Sequence, residues 1–219
     1  TIKGYFYQFD YSIRKFLESE NNDSIVIEGI EDIDIRSEHS DQTAIQCKYY
    51  EKTEYNHSVI KTAVQQMLTH YSKLVNDESE KIKYFLYGHF KRGKDKLPET
   101  HEIDFLKEKF LTFKEDGNLI THHELVGLND EDLCNFLELL EIDISAESYE
   151  TQLSSIFNLI KGEFECDEED AENFYYNNAL RVIKDLAVED DLSSRTLSRS
   201  QFIRTVDTKK HHFNKWFAT

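Results

Sequence analysis

Apolar residues switch between helical and alternating spacing repeatedly within residues 1–90, and that switching excludes an all-helical or all-strand start to the chain. Residues 5–19 place Phe6, Phe9, Ile13, Phe16 and Leu17 on one helical stripe. Asn21-Asn22-Asp23 ends that helix. Residues 24–28 (SIVIE) form a β-branched run and read as a strand. Gly29 interrupts it, and a second extended piece follows at 31–36. Residues 37–42 are polar and turn-like, and 43–50 (TAIQCKYY) alternate again as a third strand. Residues 58–76 bring Ile60, Ala63, Val64, Met67, Tyr71 and Leu74 to one face of a second helix. Residues 82–87 (IKYFLY) predict a fourth strand.

Beyond Pro98 the strand signals fade. Helices are predicted near 101–116, 130–141, 146–162, 168–189 and 199–206. One proline and seven glycines in 219 residues suit long helices and few tight turns. Asn129 before Asp130-Glu131-Asp132 has the form of an N-cap with acids in the first turn, and Ser145 before Ala146-Glu147 looks similar. The polar stretch 91–99 is the expected boundary. It divides an α/β core (1–98) from an acidic all-α region (99–219), packed on the core or leading to a sensor module outside the sequence.

Charge supports that division. Residues 1–100 carry 14 basic and 17 acidic side chains, whereas 101–219 carry 12 and 26. Most of the net charge of −17 therefore lies in the second part, which repels phosphate, while the first need not. Cys47, Cys134 and Cys166 lie far apart without a C-x-x-C spacing, which suits a reducing cytoplasm and excludes a cysteine zinc site. No apolar run approaches the ~18 residues of a membrane span, and no signal peptide is visible. The first residue is Thr1 and the sole methionine is Met67, so the sequence is expected to be a trimmed piece of a longer protein.

Side chains alternate between the faces of a strand. In EGIEDIDI, Glu28, Asp32 and Asp34 share one parity, and Ile33 and Ile35 take the other. In the third strand Gln46 and Lys48 share a face opposite Ile45, Cys47 and Tyr49. An antiparallel hairpin between these strands is expected to bring acids and a lysine onto one wet face. That set suits phosphodiester hydrolysis. Asp32 holds Mg²⁺, Gln46 adds an amide oxygen and the Cys47 backbone carbonyl another. Lys48 orients or deprotonates the attacking water and offsets charge in the transition state.

These residues resemble the PD-(D/E)xK, or restriction-endonuclease-like, superfamily in its QxK variant. The resemblance spans residues 3–90 and rests on Gly4-Tyr5-Phe6-Tyr7-Gln8, Glu28-Gly29-Ile30-Glu31-Asp32 and Ile45-Gln46-Cys47-Lys48 in a helix–strand–strand–strand–helix–strand order. More specifically, the residues look like the N-terminal endonuclease domains of bacterial anti-phage proteins, which are fused to cyclic-nucleotide sensor (SAVED) or STAND NTPase modules. The resemblance implies a catalytic triad of Asp32, Gln46 and Lys48, with Glu28 and Gln8 in support and Mg²⁺ or Mn²⁺ as cofactor. Asp34 competes with Asp32 for the metal, and Asp32 is preferred because the family's acid pair falls at Glu31-Asp32. The implied activity is an endonuclease on double-stranded DNA, activated by oligomerisation through a fused module. No G-x-x-x-x-G-K-[ST] occurs, so an NTPase module would lie outside this sequence.

Other features are weaker. Lys91, Arg92, Lys94 and Lys96 form the one basic cluster and would track a DNA backbone if they are more than a solvated loop. Gln65 and Gln66 are expected on an exposed helix face. His122-His123 and His211-His212 are expected at the surface, since adjacent residues point apart. The acids of 163–172 lack calcium-loop spacing and read as a helix start. Two alternatives stand: a catalytically idle nuclease-fold interaction module, and an RNase on the same scaffold.

Overall fold

The computed structural model describes residues 1–37, 41–75 and 81–207. In chain order these form α1 (Ile2–Glu18), β1 (Ser24–Ile27), β2 (Ile33–Arg36), β3 (Gln42–Glu54), α2 (His57–Leu74), β4 (Ile82–Arg92), α3 (Ile103–Leu106), β5 (Thr112–Glu115), β6 (Asn118–Thr121), α4 (His122–Leu125), α5 (Asp130–Leu139), β7 (Leu140–Asp143), α6 (Tyr149–Phe164), α7 (Glu168–Asp170), α8 (Tyr176–Ala187), β8 (Thr196–Ser198) and α9 (Arg199–Val206). Two compact units result. The first is built from the described residues of Thr1–Ser40 and Glu147–Thr219, the second from those of Asp41–Ala146. The 91–99 stretch, where the sequence suggests a boundary, lies inside the second unit. The expected turn at 37–42 falls partly, and His211-His212 wholly, outside the described residues.

In the first unit, β1 lies between β2 and β8, antiparallel to both. Ile25, Val26 and Ile27 are fully buried, as a central β-branched strand should be. Helix α1 is capped by the Thr1 side chain, which accepts from the Gly4 amide. Its core face carries Tyr7, Tyr11, Ile13, Phe16 and Leu17, and Phe16 stacks on Phe202 with ring centroids 4.2 Å apart. The expected stripe is therefore right at Ile13, Phe16 and Leu17 but not at Phe6, which is exposed. Tyr7 takes its place because its hydroxyl finds the Glu147 carbonyl at 2.8 Å, so the ring is buried without stranding a polar group.

The second unit has a parallel arrangement, β3 beside β4 and β4 beside β7. Parallel neighbours need a crossover, and α2 supplies it between β3 and β4. Of its predicted stripe, Ile60, Ala63, Val64, Met67 and Tyr71 are buried, while Leu74 at the end of the helix is half-buried. Gln65 donates to the Phe110 carbonyl at 2.9 Å, so it is a brace, while Gln66 is exposed.

The all-α expectation beyond residue 99 is corrected, since β5, β6, β7 and β8 all lie there. The helix expected over 101–116 ends at Leu111, because Asp116 and Gly117 turn the chain with φ of 48° and 84° and pair β5 with β6. Positive φ at both turn residues is the two-residue hairpin geometry that Asp-Gly favours. Strand β7 holds four residues, too few to show alternation, and becomes a strand by pairing with β4. The Asn129 cap forms, with a reciprocal Asp132 contact. The Ser145 start does not: Ser145 bonds the Asp143 carboxylate, and Ser148 caps α6. His123 is buried rather than at the surface, and His122 is engaged by Thr69 at 2.9 Å, since the short helix α4 packs this segment inward. Among the acids of 163–172, Asp167 caps α7 and Glu163 pairs with Arg199. No described helix is long and apolar enough to cross a membrane.

Candidate functional site

The acids of the sequence motif lie on the turn between β1 and β2, in the first unit. The last ladder pair is Ile27 with Ile33, so residues 28–32 form a loop, closed by the Glu28 amide donating to the Asp32 carbonyl at 3.0 Å. Glu28 begins it with φ of 55°. The parity expectation fails here for a physical reason: alternation holds only in extended chain, and a left-handed residue breaks it. Glu28 and Asp32 are half-buried loop residues, not neighbours on a strand face.

Asp34 does stand on β2, but it is buried, not on a wet face. Its carboxylate turns back into the loop and accepts from the Ile30 amide at 2.6 Å and the Glu31 amide at 3.2 Å. Burial pushes its pKa up to about 6, against the lowering by those two N–H groups and by Arg36. Asp34 thus holds the loop in shape. Gly29 makes room for it, since a Cβ at that position would collide with the Asp34 carboxylate. Gly29→Ala is expected to cost ~1–3 kcal/mol through that overlap. Thermal denaturation of the variant checks it, and an unchanged melting temperature would show that the loop yields freely.

Glu28 receives the Gln8 side-chain amide of α1, and Gln8 is buried. Burial raises the Glu28 pKa, the Asp32 charge raises it further, and Gln8 and Arg195 act the other way. Arg195, at the edge of β8, donates to the Glu28 carbonyl at 2.8 Å. Nothing in the local pattern around Arg195 signals this contact; only pairing of β8 with β1 creates it.

Gln46, Cys47 and Lys48 lie on β3, in the second unit. Gln46 and Cys47 are buried and Lys48 is half-buried. The register sets Gln46 beside Leu86 and Lys48 beside Gly88, so the β4 neighbour of Lys48 carries no side chain. On the same face Tyr50 stacks on Phe90, with ring centroids 5.1 Å apart. Lys91 and Arg92 close β4, while Lys94 and Lys96 lie on the turn that follows. All four are exposed, and Lys96 pairs with Glu54 at 2.6 Å, which offsets part of the cluster's charge.

Among the described residues no group of three or more His, Cys, Asp and Glu is placed to hold a metal ion. The donors on the acidic loop nevertheless suit a hard cation. Burial first and the Asp32 charge second disfavour ionisation of Glu28, and a divalent cation would offset that repulsion. Mg²⁺ needs few protein ligands because it keeps several waters.

No family model matches the chain, and no curated protein matches it. Solved structures that share its fold include two Cap4 receptors. The Acinetobacter baumannii Cap4 SAVED/CARF-domain containing receptor with the cyclic trinucleotide 2'3'3'-cAAA matches at a TM-score of 0.54 and 14% identity, over 97% of this chain and 46% of that one. The Moraxella osloensis Cap4 SAVED/CARF-domain containing receptor matches at 0.50 and 12%, over 97% and 49%. The chain spans about half the length of these structures. At such identities the likeness is one of fold.

Proposed function

We propose that this chain is a metal-dependent endonuclease of the restriction-endonuclease-like superfamily, hydrolysing phosphodiester bonds in double-stranded DNA as the effector part of a bacterial anti-phage protein. The observation that supports the reading is the braced acidic loop, in which Gln8 holds Glu28 and Asp34 shapes the turn that carries Asp32. The fold shared with Cap4 receptors supports it, because SAVED-fused proteins are the group the sequence motifs resemble.

In this reading the motif residues Asp32, Gln46 by its amide oxygen and Cys47 by its carbonyl would be the ligands of Mg²⁺ or Mn²⁺, as the resemblance implies. When bound, the ion supplies positive charge to the phosphate oxygens and makes a water more acidic. Lys48 donates hydrogen bonds toward the same phosphate and orients the attacking water, and Gly88 leaves space at its side. Glu28, steadied by Gln8, keeps negative charge beside Asp32. Lys91, Arg92, Lys94 and Lys96 meet the DNA backbone. The net charge of −17 disfavours DNA binding by a single copy, so self-association driven by a fused sensor or NTPase module raises effective affinity.

The test is a panel of supercoiled plasmid, linear duplex, single-stranded DNA and RNA, each with Mg²⁺ and with EDTA, over rising protein concentration. Metal-dependent cleavage of duplex DNA that rises more than linearly with protein is expected. Cleavage of RNA alone would make the chain an RNase on this scaffold. The cyclic trinucleotide in one Cap4 structure favours a second reading, in which the chain is a non-catalytic nucleotide-binding module. Calorimetric binding of that trinucleotide, with no cleavage anywhere in the panel, would establish it instead.

A further inference from the structure

Every polar group of Glu28 is held from a different direction. Its amide reaches Asp32, its carboxylate receives Gln8, and its carbonyl receives Arg195 Nη1 at 2.8 Å. A side-chain-bearing residue does not favour φ of 55°, so this conformation depends on such restraints. Arg195 is itself fixed twice. Its Nε donates to the Glu189 carbonyl at 2.6 Å, and its own carbonyl accepts from the Ile27 amide at 3.1 Å. The guanidinium therefore joins the segment before β8 to the first residue of the acidic loop. The planar guanidinium presents separate donors to the two carbonyls at fixed angles, which the compact ammonium of lysine on its flexible stem does not reproduce.

We propose that Arg195 is a positioning residue: it fixes the backbone of Glu28 and, through the Glu28 amide bond to the Asp32 carbonyl, the place of the Asp32 carboxylate that would hold a divalent cation. This rests on the nuclease reading and extends it to a residue far from the motif in sequence. Arg195 touches neither metal nor phosphate in this account. Partners that orient metal ligands from behind typically change metal affinity 10–100-fold when removed.

The test reads metal binding directly, without turnover. Mn²⁺ is titrated into the full chain, and the free ion is followed by its electron paramagnetic resonance signal. The parent is expected to bind. Arg195→Gln is expected to weaken binding by about 10-fold or more, with Arg195→Lys intermediate. Arg181→Gln, which removes an equal charge from an exposed position on α8, is expected to leave binding unchanged. Circular dichroism establishes that each variant is folded. Parent-like binding by folded Arg195→Gln overturns the proposal. Should that variant fail to fold, binding by Arg195→Lys within about twofold of the parent overturns it. No Mn²⁺ binding by the parent removes the nuclease reading and this inference together, whereas parent binding that Arg195→Gln retains removes only the inference.

Discussion

Lys48→Ala is expected to lower DNA cleavage by about 10²–10⁴-fold, the range for a group that moves a proton or stabilises developing charge. Lys48 is half-buried on β3 beside a glycine, so truncating it opens little of the core. The melting temperature should therefore stay close to that of the parent, with stability changed by no more than about 1 kcal/mol. Lys48→Arg keeps the charge but places a planar fork where a compact ammonium acts, so it should restore only a small part of the rate. Steady-state cleavage and thermal denaturation on the same preparations separate the two effects. A large fall in melting temperature with no change in rate would give Lys48 a structural role.

Asp10→Asn is expected to flatten the pH dependence of stability. Asp10 is fully buried on α1, and its carboxyl accepts from the Tyr176 hydroxyl at 2.8 Å. Its other oxygen has no hydrogen-bond partner among the described residues. Burial, partly offset by hydrogen bonds from Tyr176 and Tyr149, pushes the pKa up to about 7. The unfolded chain releases this proton near 3.8, so the folded form holds it more tightly. The resulting stability is fully present below that value and is lost as pH rises through about 7. Between pH 5 and pH 8 the parent should lose on the order of 2–3 kcal/mol from this group. Asparagine keeps an acceptor for Tyr176 and carries no charge, so the variant should be the more stable protein at pH 8. Asp34, raised to about 6 by burial, adds a part of the same sign that Asp10→Asn leaves in place. Denaturant unfolding at several pH values measures both slopes, and a parent-like slope in the variant would place the effect elsewhere.

The elements of the first part of the chain are legible because they are long and periodic or, like β1, rich in β-branched residues. Helix α2 and strand β4 follow directly from the spacing of Ile60, Ala63, Val64 and Met67 and from the apolar run at 82–87. The short strands β7 and β8 are not legible, since their residues are held as strands by their neighbours. The hairpin of β5 and β6 is different. Asp116-Gly117 announces it, and the helical reading of 101–116 passes over that signal. At the candidate site the residue types are legible, but their geometry is not. Parity places Glu28, Asp32 and Asp34 together, whereas the chain turns at Glu28 and buries Asp34 against its own loop. Arg195 and Gly88 become meaningful only once strand pairing is known, because periodicity does not say which distant segments meet.

The most direct test is plasmid cleavage by the purified chain with Mg²⁺, run beside EDTA and beside Asp32→Ala at a protein concentration that drives self-association. The account predicts nicked and linear products in the parent lane alone, lost both with EDTA and with Asp32→Ala. Intact plasmid in every lane, or cleavage that survives the loss of metal or of Asp32, would contradict it.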